Sequence, residues 1–187
     1  MLVVERRAAQ IGHRRQATGT ARPRTGGGSV PPVRIRFERG RIDAGDGAAL
    51  AGAMAAELHA LYDGLDIDAP DMPKAGPGEL GPPGGAFLVG YDEDGAAVCC
   101  GGFKGLPDGA CEIKRMYVVP AARGRGVAAV LLGALEDAAR ELGYTIARLD
   151  TGPRQQGAQR LYERSGYRPT GNFNANPMAS FWGERRL

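Results

Sequence analysis

The sequence predicts an α+β fold, a mixed and mostly antiparallel sheet flanked by helices in a single domain. Three observations lead there. Strand-like runs joined by tight turns fill the first half of residues 33–187, the apolar period lengthens abruptly at Val127, and a glycine-rich turn sits at that change. With 187 residues and 43% hydrophobic content, the chain can bury one good core and is short for two ordinary domains.

Residues 1–32 read as a disordered leader. They carry six arginines against Glu5 and end in Thr25-Gly-Gly-Gly-Ser-Val-Pro-Pro32, a composition that cannot bury apolar surface. The domain is expected over 33–187. Val33-Arg-Ile-Arg-Phe37 alternates as a half-buried strand does, and Asp46 offers an N-cap for a helix with Leu50, Met54, Leu58 and Leu61 on one face. From Asp63 to Gly85 glycine, proline and acidic residues predict a long loop, a place where function often resides. Ala86–Tyr91 and Ala96–Phe103 are strands around the turn Asp92-Glu-Asp-Gly95, and Ala110–Val119 is a third, so the three form a meander. Val127, Val130, Leu131, Ala134, Leu135, Ala138 and Leu142 then mark a helix stopped by Gly143. A strand at Thr145–Leu149, a helix from about Gln155 to Ser165, and strands near Tyr167 and over Met178–Arg185 complete the order.

The net charge of +3 hints at nucleic acid until it is divided along the chain. The leader holds +5, so residues beyond it are mildly acidic, and the leader has no aromatic side chain for base stacking. Nucleic acid is therefore not an expected partner. No run approaches the roughly 18 apolar residues of a membrane span, and no signal-peptide h-region opens the chain, so a cytoplasmic protein is expected. Cys99, Cys100 and Cys111 have neither zinc-site nor disulfide-framework spacing, and no metal is expected.

A strand ending at Val119, a short turn and glycines 124 and 126 opening a helix turn backbone amides and a positive helix end toward an anion, with Arg123 and Arg125 adding charge. A dinucleotide fold fits Gly124-x-Gly126-x-x-Ala129 with Asp150 about 20 residues on. It fails on context, since the preceding strands form a meander and too little chain follows for further βα units. A P-loop is excluded because no G-x-x-x-x-G-K-[ST] occurs.

Arg123-Gly-Arg-Gly-Val-Ala128 resembles the [RQ]-x-x-G-x-[GA] signature of the GCN5-related N-acetyltransferase (GNAT) superfamily, and Ala158-x-x-Leu161-Tyr162-Glu163-x-x-Gly166-Tyr167 resembles its second block. Cys111–Pro120 is similar to its fourth strand. The resemblance implies acetyl-CoA as co-substrate and a small-molecule amine as acceptor. It implies that backbone amides of Met116, Tyr117 and Val118 hold the thioester and pantetheine, and that Arg123, Gly124, Arg125, Gly126, Val127, Ala128 and Ala129 hold the pyrophosphate. Gln155 stands where the family often has an asparagine toward pantetheine. Members are often dimers, which leaves a homodimer open.

Acetyl transfer to an amine requires an uncharged nucleophile, a polarised carbonyl and a stabilised leaving thiolate. Glu112, flanked by Cys111 and Ile113, resembles the catalytic glutamate of histone-acetyltransferase members and is the expected general base; an ion pair with Lys114 or Arg115 is the plainer alternative. Tyr162 is the expected general acid, pointing in the family toward the coenzyme sulfur. The cysteines read as buried strand residues, and neither His13 nor His59 has an evident triad partner, so a ping-pong route is disfavoured. The alternative function is a non-catalytic acyl-CoA-binding regulatory module on the same fold. Five acids against Lys74 between Asp63 and Glu79 suggest attraction of a cationic acceptor.

Overall fold

The computed structural model describes residues 33–187, so the expected leader lies outside the described residues. The chain runs β1 (Arg36–Gly40), α1 (Gly45–Leu61), β2 (Ala86–Tyr91), β3 (Ala97–Gly105), β4 (Cys111–Val118), α2 (Val127–Glu141), β5 (Ile146–Thr151), α3 (Gln156–Arg164), β6 (Arg168–Pro169) and β7 (Phe181–Arg186). These strands make one seven-stranded sheet in the order β1-β2-β3-β4-β5-β7-β6, antiparallel except for the β4–β5 pair. The α+β expectation is met. No helix among the described residues is long and apolar enough to cross a membrane.

Each helix lies where its apolar stripe can be buried. On one face of the sheet Leu50 and Met54 of α1 pack with Phe87, Val89, Cys100 and Tyr117. On the other face α2 buries Val127, Leu131, Leu135 and Ala138 against Cys99, Phe103 and Ile113, with Tyr162 of α3 beside them. Gly126 caps α2 at φ 86°, a left-handed conformation that glycine adopts without strain. Gly143 at φ 88° ends the same helix region.

Several expected boundaries moved, among them the start of β7, at Phe181 rather than Met178, and those of β1 and α1. β1 begins at Arg36 because its ladder with β2 runs from Arg36 opposite Tyr91 to Gly40 opposite Phe87, and pairing rather than alternation sets its ends. The helix α1 begins at Gly45 after Ala44, and Asp46 is not its N-cap: its Oδ2 accepts a hydrogen bond from the Tyr91 hydroxyl at 2.9 Å.

Two irregularities position the functional groups. The β4–β5 ladder joins only Cys111 to Ala147 and Glu112 to Arg148, so the β5-facing edge of β4 beyond Glu112 is released from the ladder. In the β3–β4 ladder the register slips between Cys100, opposite Tyr117, and Gly102, opposite Lys114. The slip places Arg115 and Met116 against Gly101 alone, a β-bulge, and Arg115 takes φ 58°. Strict alternation would send Arg115 toward α2; instead its guanidinium meets Ile67 and Asp68 in the loop on the α1 side.

Candidate active site

A cleft of about 570 Å³ opens where β4 and β5 part company. It is walled by Met116, Tyr117 and Val118 of β4, by Gly124, Gly126, Val127, Ala128 and Ala129 at the start of α2, and by Gln155 and Tyr162 of the α3 region. Arg123 also lines it. The first intrahelical bonds of α2 are donated by the amides of Ala129 and Val130 to Gly126, so the amides of Val127 and Ala128 precede them at the positive helix end. Both Gly124, at φ 74°, and Gly126 have open space where a side chain would begin, so a ligand can approach the backbone closely.

The two arginines of the turn are not equivalent. Arg123 Nε donates to Val118 O at 2.8 Å, Nη2 meets Glu57 Oε2 at 2.6 Å, and the guanidinium lies 5.5 Å from the Tyr117 ring centre. Its side chain thus ties the end of β4 to α1, and its charge is already matched; the Glu57 hydrogen bond raises the guanidinium pKa further. Arg125 lines a different depression, beside Asp92, Glu93 and Asp94 of the β2–β3 turn. Arg123 is thus paired with Glu57, and Arg125 lines a separate depression.

A second cavity, of about 130 Å³, adjoins the cleft. Met54, Leu58, Met116, Gln155 and Tyr162 line both. Its further walls are Lys114 and Arg115 of β4, Asp150 at the end of β5, Asn176, and the apolar Leu65, Ile67, Met72 and Pro73 of the 62–85 loop. Four of the five acids of that loop have partners. Asp63 pairs with Arg154 at 2.9 Å, Asp68 with Arg115 at 2.6 Å, Asp66 accepts from the amide of Asp68, and Glu79 from the amide of Gly76. The loop lines the cavity with Leu65, Ile67, Met72 and Pro73, and Asp68 reaches its wall through Arg115.

Glu112, expected as the base, is fully buried and lines neither space. Its Oε1 is 3.0 Å from Lys114 Nζ and accepts from Asn174 Nδ2 at 2.6 Å, while Oε2 is 3.3 Å from Lys104 Nζ. The carboxylate at the cavity wall is Asp150. Its Oδ1 faces Lys114 Nζ at 3.2 Å, and its Oδ2 accepts from Asn174 Nδ2 at 2.9 Å and Asn176 Nδ2 at 2.6 Å. Trp182 Nε1 in turn holds Asn174 Oδ1 at 3.1 Å. In the sequence Asp150 stands out only as the acid about 20 residues beyond the glycines, in the excluded dinucleotide pattern. Asn174 and Asn176 lie in an irregular stretch before β7 that carries no pattern.

Tyr162 stands at the junction of the two spaces. Its hydroxyl donates to the Met116 thioether at 4.0 Å, a weak acceptor that a thiolate would outcompete. Burial, with the Asp150 carboxylate adding to it, pushes the phenol well above its ordinary range, so it stays protonated throughout neutral and mildly alkaline pH. Gln155 Oε1 accepts from Thr151 Oγ1 at 3.3 Å and from the Gly152 amide at 3.4 Å, which leaves its Nε2 as a donor. The three cysteines are buried and their thiols pushed up to about 12, unsuited to nucleophilic work.

The acetyltransferase (GNAT) family model matches residues 56–167, a span holding both the cradle and the Tyr162 block. The chain belongs to the GNAT acetyltransferase family. An uncharacterized N-acetyltransferase of Schizosaccharomyces pombe is 38% identical over 102 residues, which cover 54% of this chain and 62% of that protein. The match thus spans under two-thirds of this curated relative. A solved Klebsiella pneumoniae protein assigned to the acyl-CoA N-acyltransferases is 29% identical with a TM-score of 0.65, covering 82% of this GNAT chain and 97% of its own. A GNAT acetyltransferase of Elizabethkingia anophelis, solved with acetyl-CoA bound, shares the fold at a TM-score of 0.59 and 15% identity, covering 82% of this chain and 98% of its own.

Proposed function

We propose that this chain moves the acetyl group of acetyl-CoA to an amine by direct attack within a ternary complex. The observation that carries the proposal is the meeting of two cavities at Met116, Gln155 and Tyr162, one ending in an anion cradle and the other walled by Asp150. Acetyl-CoA brings the activated acyl group. The amides at the start of α2 and the positive helix end hold its pyrophosphate. The unladdered edge of β4 from Met116 to Val118 offers amides to pantetheine and to the thioester oxygen as negative charge develops there. Gln155 Nε2 donates to pantetheine.

The amine enters from the second cavity and must lose a proton. We assign that proton to Asp150, the carboxylate on the wall, and give Glu112 the role of fixing Lys114 behind it. A base must lie within hydrogen-bond reach of the proton it takes, directly or through one water, and Asp150 is the nearer of the two carboxylates to the cavity. Tyr162 keeps its proton and donates a hydrogen bond to the departing sulfur. Thiol release from acetyl-CoA with a panel of primary amines tests the proposal: transfer is expected, and binding without release for every amine would instead support an acyl-CoA-binding module.

A further inference from the structure

The side chain of Arg115 is only 9% exposed, yet its Nε has no hydrogen-bond partner. Its Nη2 is anchored by Asp68 Oδ1 at 2.6 Å and by Ile67 O at 3.3 Å. The Asp68 side chain is 75% exposed, so its charge is well screened and only partly offsets the desolvation of a guanidinium. The bulge makes this possible, because it turns the Arg115 guanidinium to Ile67 and Asp68 on the α1 side, where strict alternation would send it toward α2.

The other charges at this wall pair with one another, although Glu112 Oε2, like Arg115 Nε, has no hydrogen-bond partner. Lys114 lies between Glu112 and Asp150, and Lys104 lies against Glu112. Arg115 is thus the cavity-lining cation with a donor still to fill. Around it the surface is apolar, from Leu65, Ile67, Met72 and Met178.

We propose that the acceptor is an amino acid with an apolar side chain, its carboxylate held by Arg115 and its amine presented to Asp150. The assignment rests on the acetyl-transfer reading above and names the substrate class of that site. A guanidinium fork matches a carboxylate in plane, and an apolar side chain would lie against the loop. The chemistry balances without a co-reactant: the ammonium gives one proton to Asp150 and onward to solvent, the nitrogen gains the acetyl carbon as the thioester C–S bond breaks, and the second proton that the nitrogen then sheds ends on the departing sulfur as the free thiol.

The test uses three matched sets of acceptors, L-leucine, L-methionine and L-phenylalanine, each beside its methyl ester and its decarboxylated amine. The free acids should be preferred by about 10- to 100-fold in kcat/KM, the worth of a hydrogen bond to a charged group. In Arg115→Gln that preference should fall to near unity through a higher KM for the acids, with acetyl-CoA affinity retained, and Arg115→Lys should restore part of it. Equal use of acids, esters and amines by the wild-type protein would overturn the assignment while leaving acetyl transfer standing. So would an Arg115→Gln loss that is the same for all three, which would make Arg115 a loop brace. Absence of thiol release with every amine would overturn both.

Discussion

Asp150 and Glu112 share one cation, with Lys114 Nζ 3.2 Å from Asp150 Oδ1 and 3.0 Å from Glu112 Oε1. The two carboxylates differ in what else they face: Asp150 lines the acceptor cavity, and Glu112 is closed in by Lys104 and Asn174. Asp150→Asn should lower kcat by about 10²- to 10⁴-fold, the range of a positioned base, with little change in acetyl-CoA affinity. Glu112→Gln should act first on stability, by about 3 kcal/mol, because it takes the carboxylate from beside Lys104 and leaves Lys114 with Asp150 alone. Chemical denaturation and steady-state kinetics on both variants check this. A Glu112→Gln protein of normal stability and lost turnover, beside an active Asp150→Asn, would return the base to Glu112.

Removal of the Tyr162 hydroxyl takes away a donor whose present partner is only the Met116 thioether. Tyr162→Phe should therefore fold with stability within about 1 kcal/mol of wild type, since little hydrogen bonding is lost. Its kcat should fall by about 10²-fold or more while KM for acetyl-CoA stays put. The defect should shrink with an acyl donor whose leaving thiol is more acidic, because a more stable thiolate needs less help. Full activity of the variant with acetyl-CoA would remove Tyr162 from the chemistry.

The parts of this site that were legible in sequence are those built from local rules. Gly126 at a strand-to-helix turn and the stripe from Val127 to Leu142 are read from spacing alone, and the cradle follows from them. Tyr162 and Gln155 came with the family resemblance. The acceptor side was hidden because it is assembled by register and tertiary pairing. Arg115 reaches the cavity only through a bulge opposite Gly101, and nothing in Lys114-Arg115-Met116 announces that slip. Asp150 is held by Lys114, Asn174 and Asn176, which lie 24 to 36 residues away along the chain. Composition does not say which way the side chains of the 62–85 loop turn, and here Leu65 and Ile67 face inward.

The cradle makes a conformational prediction. Gly126 sits at φ 86° with open space where a side chain would begin, so the cost of Gly126→Val is backbone strain, about 1–2 kcal/mol for a left-handed residue. The added methyls would also stand where a pyrophosphate must approach. Acetyl-CoA should raise the Tm of the wild-type protein, as any ligand selective for the native state does, and should not raise that of Gly126→Val. An equal shift in both would place the coenzyme elsewhere.

Stability should fall in alkali for a definite reason. Burial pushes Cys99, Cys100 and Cys111 from 9.0 up to about 12, and raises Tyr162 and Tyr167 as well. A raised folded-state pKa contributes stability that is complete below the unfolded value, here pH 9, and is lost as pH climbs toward the folded value. At pH 10 each thiol should account for a loss of about 1.4 kcal/mol. Urea midpoints should hold steady up to about pH 8.5 and drop steeply by pH 10, and replacing the three cysteines with alanine should flatten the drop. A midpoint unchanged through pH 10 would mean that these thiols ionise freely in the fold.

Direct attack within a ternary complex is tested most squarely by initial rates of thiol release measured while acetyl-CoA and the amine acceptor are varied together. Two cavities meeting at Tyr162 and no competent cysteine among Cys99, Cys100 and Cys111 predict double-reciprocal lines that intersect, and no burst of thiol before the amine is added. Parallel lines with a stoichiometric burst from acetyl-CoA alone would mean that the acetyl group rests on the protein first, and would contradict direct transfer.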